Sequence, residues 1–297
     1  MPLSVCGEIS AVNLRTALHT AIEHLEGHDV GSPRLNAETL LMFTLGCDRA
    51  YLYAHPEREL SADEAERYQS VIAERARGKP SQYITGHQEF WGLDLIVTPA
   101  VLIPRPETEH SVELVLELAK AQRAEDSLRI ADIGTGSGCI ALALAHELPS
   151  AQIEAADISA EALEIARLNA ERLDLTKRVH FRQSNLLSAF AATEKFDFIV
   201  CNPPYVSDLK PDTVQRQVRE YEPKIAVFSG ASGLEIYQRL IPKARQHLKP
   251  AGWLVMEIGF SIESEVRALL SGWREIVVKP DLQGIPRVLA AANTPKK

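Results

Sequence analysis

Apolar positions near the amino terminus follow a helical period: Leu14, Ala17, Leu18, Ala21, Ile22 and Leu25 recur at three-four spacing on one face. A second helix is expected in SPRLNAETLLMFTLG, with Ser32 as N-cap, Pro33 at the first helical position and Gly46 closing it. A third opens at SADE, where Ser61 and Glu64 fit a capping box ahead of a charged, exposed helix running towards Arg77. Residues 1–84 therefore read as a small helical bundle. The period then shortens. EFWGLDLIVT carries a β signal, Gly92 is suited to turn a hairpin, and residues 85–105 read as a linker with structure of its own.

From Leu128 onward strand and helix patterns alternate. LRIADI, QIEAAD, VHFRQ, FDFIVC and WLVMEIG read as strands, separated by helical stretches such as SAEALEIARLNAERL. This alternation predicts an α/β domain over residues 106–297, with a mostly parallel sheet covered by helices and ligands bound beyond the carboxyl ends of the strands. The tail adds REIVVKP and RVLAAA, close enough to pair as antiparallel edge strands.

Composition narrows the function more than the fold. A chain of 297 residues, 45% hydrophobic and 24% charged, is ordinary for a globular protein of two domains. Its net charge of -8 and pI near 5.7 argue against direct nucleic-acid binding as the main task, because phosphate binding draws on clustered Lys and Arg. The cysteines Cys6, Cys47, Cys139 and Cys201 are dispersed and form no CxxC pair, which suits a reducing cytoplasm. No apolar run is long enough for a membrane span, and no signal pattern opens the chain. His24 and His28 stand at helical ligand spacing without a third ligand, so no metal is expected.

The chemistry is concentrated in two turns. In DIGTGSG, Asp132 ends a strand, and Gly134, Gly136 and Gly138 lead into a helix, where the backbone turns sharply and a ligand can approach closely. The spacing is GxGxG, since Cys139 stands where the dinucleotide fingerprint has its third glycine. Tight packing of helix on strand would explain such a turn alone. Asp157 at the end of the next strand adds a carboxylate suited to both hydroxyls of a ribose, which favours a nucleoside over its alternative as a helix cap. The second turn, CNPPYVS, follows FDFIV, and its two prolines end the strand and stiffen an elbow carrying Asn202 and Tyr205.

DIGTGSG, Asp157 and NPPY together resemble the class I S-adenosylmethionine-dependent methyltransferases that act on planar amino nitrogens. LIPRPETE at residues 102–109, VREYEP at 218–223 and the helical amino-terminal domain further resemble the HemK/PrmC family, glutamine methyltransferases of peptide chain release factors. The similarity runs from the first helix to QGIPRVLAA.

The resemblance implies S-adenosyl-L-methionine as methyl donor, no metal, and class 1 release factors as partners, modified at the glutamine of their GGQ loop. It places Asp132, Gly134, Thr135, Gly136, Ser137, Gly138 and Asn202 around the donor, Asp157 on its ribose, and Asn185 and Leu186 at its adenine. Asn185 stands where many relatives carry an aspartate, keeping an acceptor without its charge; Leu186 can equally serve helix-start packing. The IPRPETE loop is expected against the donor site, holding Arg105, Glu107, Thr108 and Glu109, although Glu107 and Glu109 also suit the start of a helix. Asn202, Pro203, Pro204 and Tyr205 are implied to catalyse and to bind substrate. The Asn202 side-chain oxygen takes one hydrogen of the target amide, the Pro203 carbonyl the other, and Tyr205 offers a face for stacking with its position set by Pro204. The helical domain is expected to recognise the protein substrate. A nucleic-acid amino-methyltransferase, a ribosomal-protein glutamine methyltransferase and a silent nucleoside-binding module are the alternatives.

Overall fold

The computed structural model describes residues 12–121, 127–260 and 262–293, so Cys6 lies outside the described residues. The chain divides into two compact units, Met1–Thr85 and Gly86–Lys297. In the first, α1 (Leu14–Glu26), α2 (Pro33–Leu45), α3 (Arg49–Ala54), α4 (Ala62–Ala76) and α5 (Ser81–Thr85) enclose a core that includes Leu14, Leu25, Leu40, Leu41, Tyr68 and Ile72. The Ser61 and Glu64 capping box is present, and Gly46 ends α2 with a φ of 63°.

Two expectations in this unit are corrected. Ser32 makes no side-chain cap, because its backbone is left-handed (φ 51°) instead of extended; the Asn36 Nδ2 donates to the Ser32 carbonyl at 3.1 Å and to that of Gly31 at 2.9 Å. Helix α4 is charged but not simply exposed: Tyr68 and Ile72 are buried at helical spacing, and the Tyr68 hydroxyl donates to the Ala37 carbonyl at 3.0 Å.

The second unit opens with a hairpin of β1 (His87–Phe90) and β2 (Leu93–Ile96). Trp91 and Gly92 form its two-residue turn with φ of 55° and 73°, the twist that matches paired strands. A 3-10 turn, Pro106–Thr108, leads into α6 (Glu109–Ala121), whose Glu109 accepts from the Trp91 amide at 2.8 Å. Then follow β3 (Arg129–Ile133), α7 (Cys139–Glu147), β4 (Gln152–Asp157), α8 (Ala160–Arg172), β5 (Val179–Gln183) and β6 (Phe196–Cys201). After them come α9 (Arg216–Tyr221), α10 (Lys224–Val227), α11 (Glu235–His247), β7 (Leu248–Glu257), α12 (Glu263–Leu269), β8 (Arg274–Pro280) and β9 (Pro286–Ala292).

The seven-stranded sheet runs β5-β4-β3-β6-β7-β9-β8, parallel from β5 to β7. Its central strands are buried on both faces, as covering helices require. The two tail strands do pair antiparallel, but only β8 is an edge. Strand β9 inserts antiparallel beside β7, since its Val288–Ala292 stretch is buried throughout whereas β8 alternates exposed and half-buried positions.

One buried polar side chain ties the hairpin to the sheet's helical layer. Asn169 of α8, fully buried, accepts from the Ile96 amide at 2.7 Å and donates to the Ile96 and Ser137 carbonyls, each at 3.0 Å. Asn169→Ala leaves the Ile96 amide without its partner, and the expected loss in denaturant unfolding is about 2–4 kcal/mol, the sum of a lost bond and a desolvated group.

Candidate active site

Strands β3 and β6 are neighbours, but the chain leaves them in opposite directions across the sheet, so their carboxyl ends open the crevice expected of a topological switch point. One cavity lies there. It is lined by Gly134, Thr135, Gly136 and Ser137 after β3, Asp157 after β4, Asn185 and Leu186 after β5, and Asn202, Pro203 and Pro204 after β6. Gly134 and Gly136 have φ of 77° and 56°, and a Cβ on either would stand in open space. That leaves a bare backbone cradle, which fits the close approach of a nucleoside-type donor.

Asp157 holds the cradle from beside. Its Oδ2 accepts from the Gly136 amide and its Oδ1 from the Ser159 amide, each at 2.9 Å, while Ser159 itself caps α8. Burial raises the Asp157 carboxyl above its ordinary pKa, with the backbone donors opposing. Asp132 lies beneath the cradle and outside the cavity lining. It accepts from the Thr135 hydroxyl at 2.6 Å and the Ala141 amide at 3.2 Å, its Oδ1 is buried without a partner, and burial pushes its carboxyl up to about 7. Gly138 answers to packing: a Cβ there would stand 3.1 Å from Leu142 and 3.3 Å from Ala166.

On the opposite wall, the Asn202 Nδ2 donates to the Thr108 hydroxyl at 3.0 Å, and that hydroxyl donates to Glu257 Oε2 at 2.6 Å. Tyr205 is absent from the cavity lining; its hydroxyl reaches Glu257 Oε1 at 3.4 Å. Among the described residues, no group of three or more His, Cys, Asp or Glu side chains is placed to hold a metal ion.

Known proteins resemble this chain over most of its length. Residues 16–86 match the PrmC N-terminal domain family and residues 108–222 the methyltransferase small domain family. A release factor glutamine methyltransferase of Koribacter versatilis is 55% identical over 94% of this chain and 98% of its own length. One of Xylella fastidiosa is 44% identical over 86% of this chain and 91% of its own. The chain belongs to the release factor glutamine methyltransferase family. Among solved structures, the catalytic domain of hMettl16 in complex with an RNA hairpin shares the fold at a TM-score of 0.56, covering 84% of this chain and 95% of its own, with 18% identity. The N-terminal domain of human METTL16 in complex with SAH does so at 0.52, with 18% identity, covering 84% of this chain and 93% of its own.

Two segments that carried the family resemblance meet in space. Arg105 of IPRPETE ion-pairs with the buried Glu222 of VREYEP, and Glu222 Oε2 also accepts from the Ile103 amide at 3.2 Å. Arg105 and Thr108 line the cavity, whereas Glu107 and Glu109 do not. Asn185 Oδ1 accepts from Arg239 Nη2 at 2.7 Å, so this acceptor in the cavity lining has a cationic neighbour. Leu186 is held in the left-handed region (φ 55°), with its carbonyl accepting from the Ser184 hydroxyl at 2.7 Å.

Sequence reasoning missed Glu257, Glu222, Arg239 and the glycines behind Tyr205. A Cβ on Gly259 would stand 2.7 Å from the Tyr205 ring, and one on Gly233 2.5 Å from its carbonyl oxygen. WLVMEIG did carry a signal, an acid within an apolar strand. Gly259→Ala is expected to push the ring aside and lower the rate of methyl transfer by about 10², the cost of a displacement near 1 Å, with the melting temperature less affected than the rate. Steady-state kinetics beside thermal unfolding checks this.

Proposed function

We propose that this protein transfers a methyl group from S-adenosyl-L-methionine to the side-chain amide nitrogen of the GGQ glutamine of class 1 peptide chain release factors, in the cytoplasm. The observation that carries the reading is the meeting of the bare glycine cradle with Asn202, Pro203 and Pro204 in one cavity. Family membership and the METTL16 fold relative solved with SAH support it. The donor supplies an electrophilic methyl on sulfur. The chain's residues must prepare the nucleophile.

An amide nitrogen is weakly nucleophilic because its lone pair is delocalised into the carbonyl. Acceptors set against its two hydrogens draw electron density onto nitrogen and fix the amide plane, which combines electrostatic preorganisation with orientation. The Asn202 side-chain oxygen and the Pro203 carbonyl take those roles, and the prolines keep that carbonyl's direction stiff. Tyr205 orders the wall behind them. Asp157 takes the ribose hydroxyls, and Asn185 with Leu186 the adenine. The amide proton leaves after the new N–C bond has formed, so no strong general base is needed. The helical unit recognises the release factor.

The direct test is to incubate purified protein with labelled donor and class 1 release factors, then map the methylated peptide by mass. Label on the GGQ glutamine supports the reading; label on another residue, no label, or transfer to RNA alone in a parallel incubation overturns it. Asp157→Ala is expected to weaken donor binding by about 1.5–3 kcal/mol with little change in kcat at saturating donor, since a ribose contact is the same in ground and transition states. Calorimetry and saturation kinetics measure the two separately. Asn202→Ala should keep donor affinity and lower kcat by about 10² to 10³. Asn202→Asp, which still accepts, should fall between wild type and alanine in single-turnover assays.

A further inference from the structure

Asn202 and Tyr205, both from the NPPY turn, converge on one buried carboxylate. Glu257 at the end of β7 is 3% exposed, takes the Thr108 hydroxyl on Oε2 and lies near the Tyr205 hydroxyl on Oε1. Its backbone carbonyl accepts from the Tyr237 hydroxyl at 2.8 Å, which anchors the strand end. Thr108 is itself buried, and its hydroxyl oxygen accepts from the Asn202 Nδ2 at 3.0 Å.

We propose that Glu257 and Thr108 are positioning residues that set the flip of the Asn202 amide, so that its oxygen and not its NH2 group meets the substrate amide. This rests on the methyl-transfer reading given above. The two prongs of an asparagine are almost the same shape, so their polar partners decide which way the group faces. A threonine hydroxyl has a single hydrogen. A carboxylate can only accept, so that hydrogen goes to Glu257 and leaves Thr108 Oγ1 with lone pairs alone. Only the NH2 prong of Asn202 can then face Thr108, and the oxygen prong is turned away from it.

A proton on Glu257 reverses the relay. The acid donates to Thr108, the hydroxyl donates to the Asn202 oxygen, and the NH2 prong is left to meet the hydrogens of the substrate amide, donor against donor. Burial pushes the Glu257 carboxyl up to about 7, opposed by the Thr108 bond, reinforced by Glu107, and opposed again by the Tyr205 bond and Arg287. The titratable groups facing it are therefore Glu107 on the 3-10 turn, Tyr205 after β6, Arg287 on β9, Tyr237 on α11, and the thiols of Cys139 and Cys201. Methyl transfer then increases as pH rises through about 7, because the deprotonated carboxylate is the form that orients Asn202.

Three variants test the relay, each checked first by thermal unfolding and donor calorimetry. In single-turnover transfer to a class 1 release factor, Thr108→Val, which keeps shape and loses the hydroxyl, is expected to be slower by about 10² with donor affinity retained. Thr108→Ser restores the hydroxyl and should be at least about tenfold faster than the valine variant, a difference of one decade in rate. Glu257→Gln should lose the acid limb of the pH profile. A folded valine variant within about threefold of wild type, a loss confined to donor affinity, or an acid limb that survives in Glu257→Gln overturns the proposal. A second readout needs no release factor: the Asn202 Nδ2 hydrogens, followed in ¹⁵N spectra and identified by their loss in Asn202→Asp, should titrate near pH 7 in wild type and stay constant in Glu257→Gln. Unmoved resonances in wild type overturn the relay even if methylation proceeds. Titrating resonances in a protein that methylates no release factor would instead retain the relay and remove the methyl-transfer reading.

Discussion

The parallel pairing of β3 with β6 is the constraint on which the site depends. Ile130, Ala131 and Asp132 stand opposite Phe198, Ile199 and Val200, so the two strands end side by side. The helix after β3 and the segment after β6 then leave in different directions, and the space between them stays unfilled. The residues after each strand are the two halves of the chemistry: a glycine backbone on one side, an asparagine-proline elbow on the other. Neither turn could form a site alone.

Around that crevice, the protein places carboxyls where water does not reach. Asp132, Glu222 and Glu257 are all buried, and each is held by hydroxyls, backbone amides or an arginine. Such groups are costly unless satisfied. Asp132 and Glu257 carry pKa values of about 7, above the ordinary carboxylate range. The folded state thus holds protons that an unfolded chain releases, and this contribution to stability is full at low pH and lost as pH rises towards 7. Orientation of the site is maintained against that cost.

The loop before α6 shows how distant segments are made into one wall. Its prolines restrict the backbone from residue 104 to 106, Arg105 is fastened to Glu222, and Thr108 to Glu257. On the other flank, Asn169 joins the hairpin to the carbonyl of Ser137 in the glycine cradle. Both sides of the cavity are thus fastened through side chains that lie more than 70 positions away in the chain, with separations of 73, 117 and 149 for the bonds Asn169 to Ile96, Arg105 to Glu222 and Thr108 to Glu257.

Much of this was legible in the sequence, because periodicity, caps and turn chemistry are local. The alternating apolar runs named every strand of the sheet, the capping box at Ser61 and Glu64 formed, and DIGTGSG, Asp157 and NPPY stand at the ends of the strands they were read to follow. What escaped were relations without a fixed spacing. Ser32 has the right identity for a cap, but its left-handed backbone is settled by its surroundings. The tail strands were readable as a pair, whereas the insertion of β9 beside β7 follows from alanines that bury both faces. The charged segment of α4 concealed a buried Tyr68 and Ile72. Glu257 looked like one polar residue in an apolar strand, and only folding brings Thr108 within 2.6 Å of it and Asn202 within reach of Thr108. Local chemistry chose the groups that can act on an amide; the packing of remote strands and loops decided which way they point.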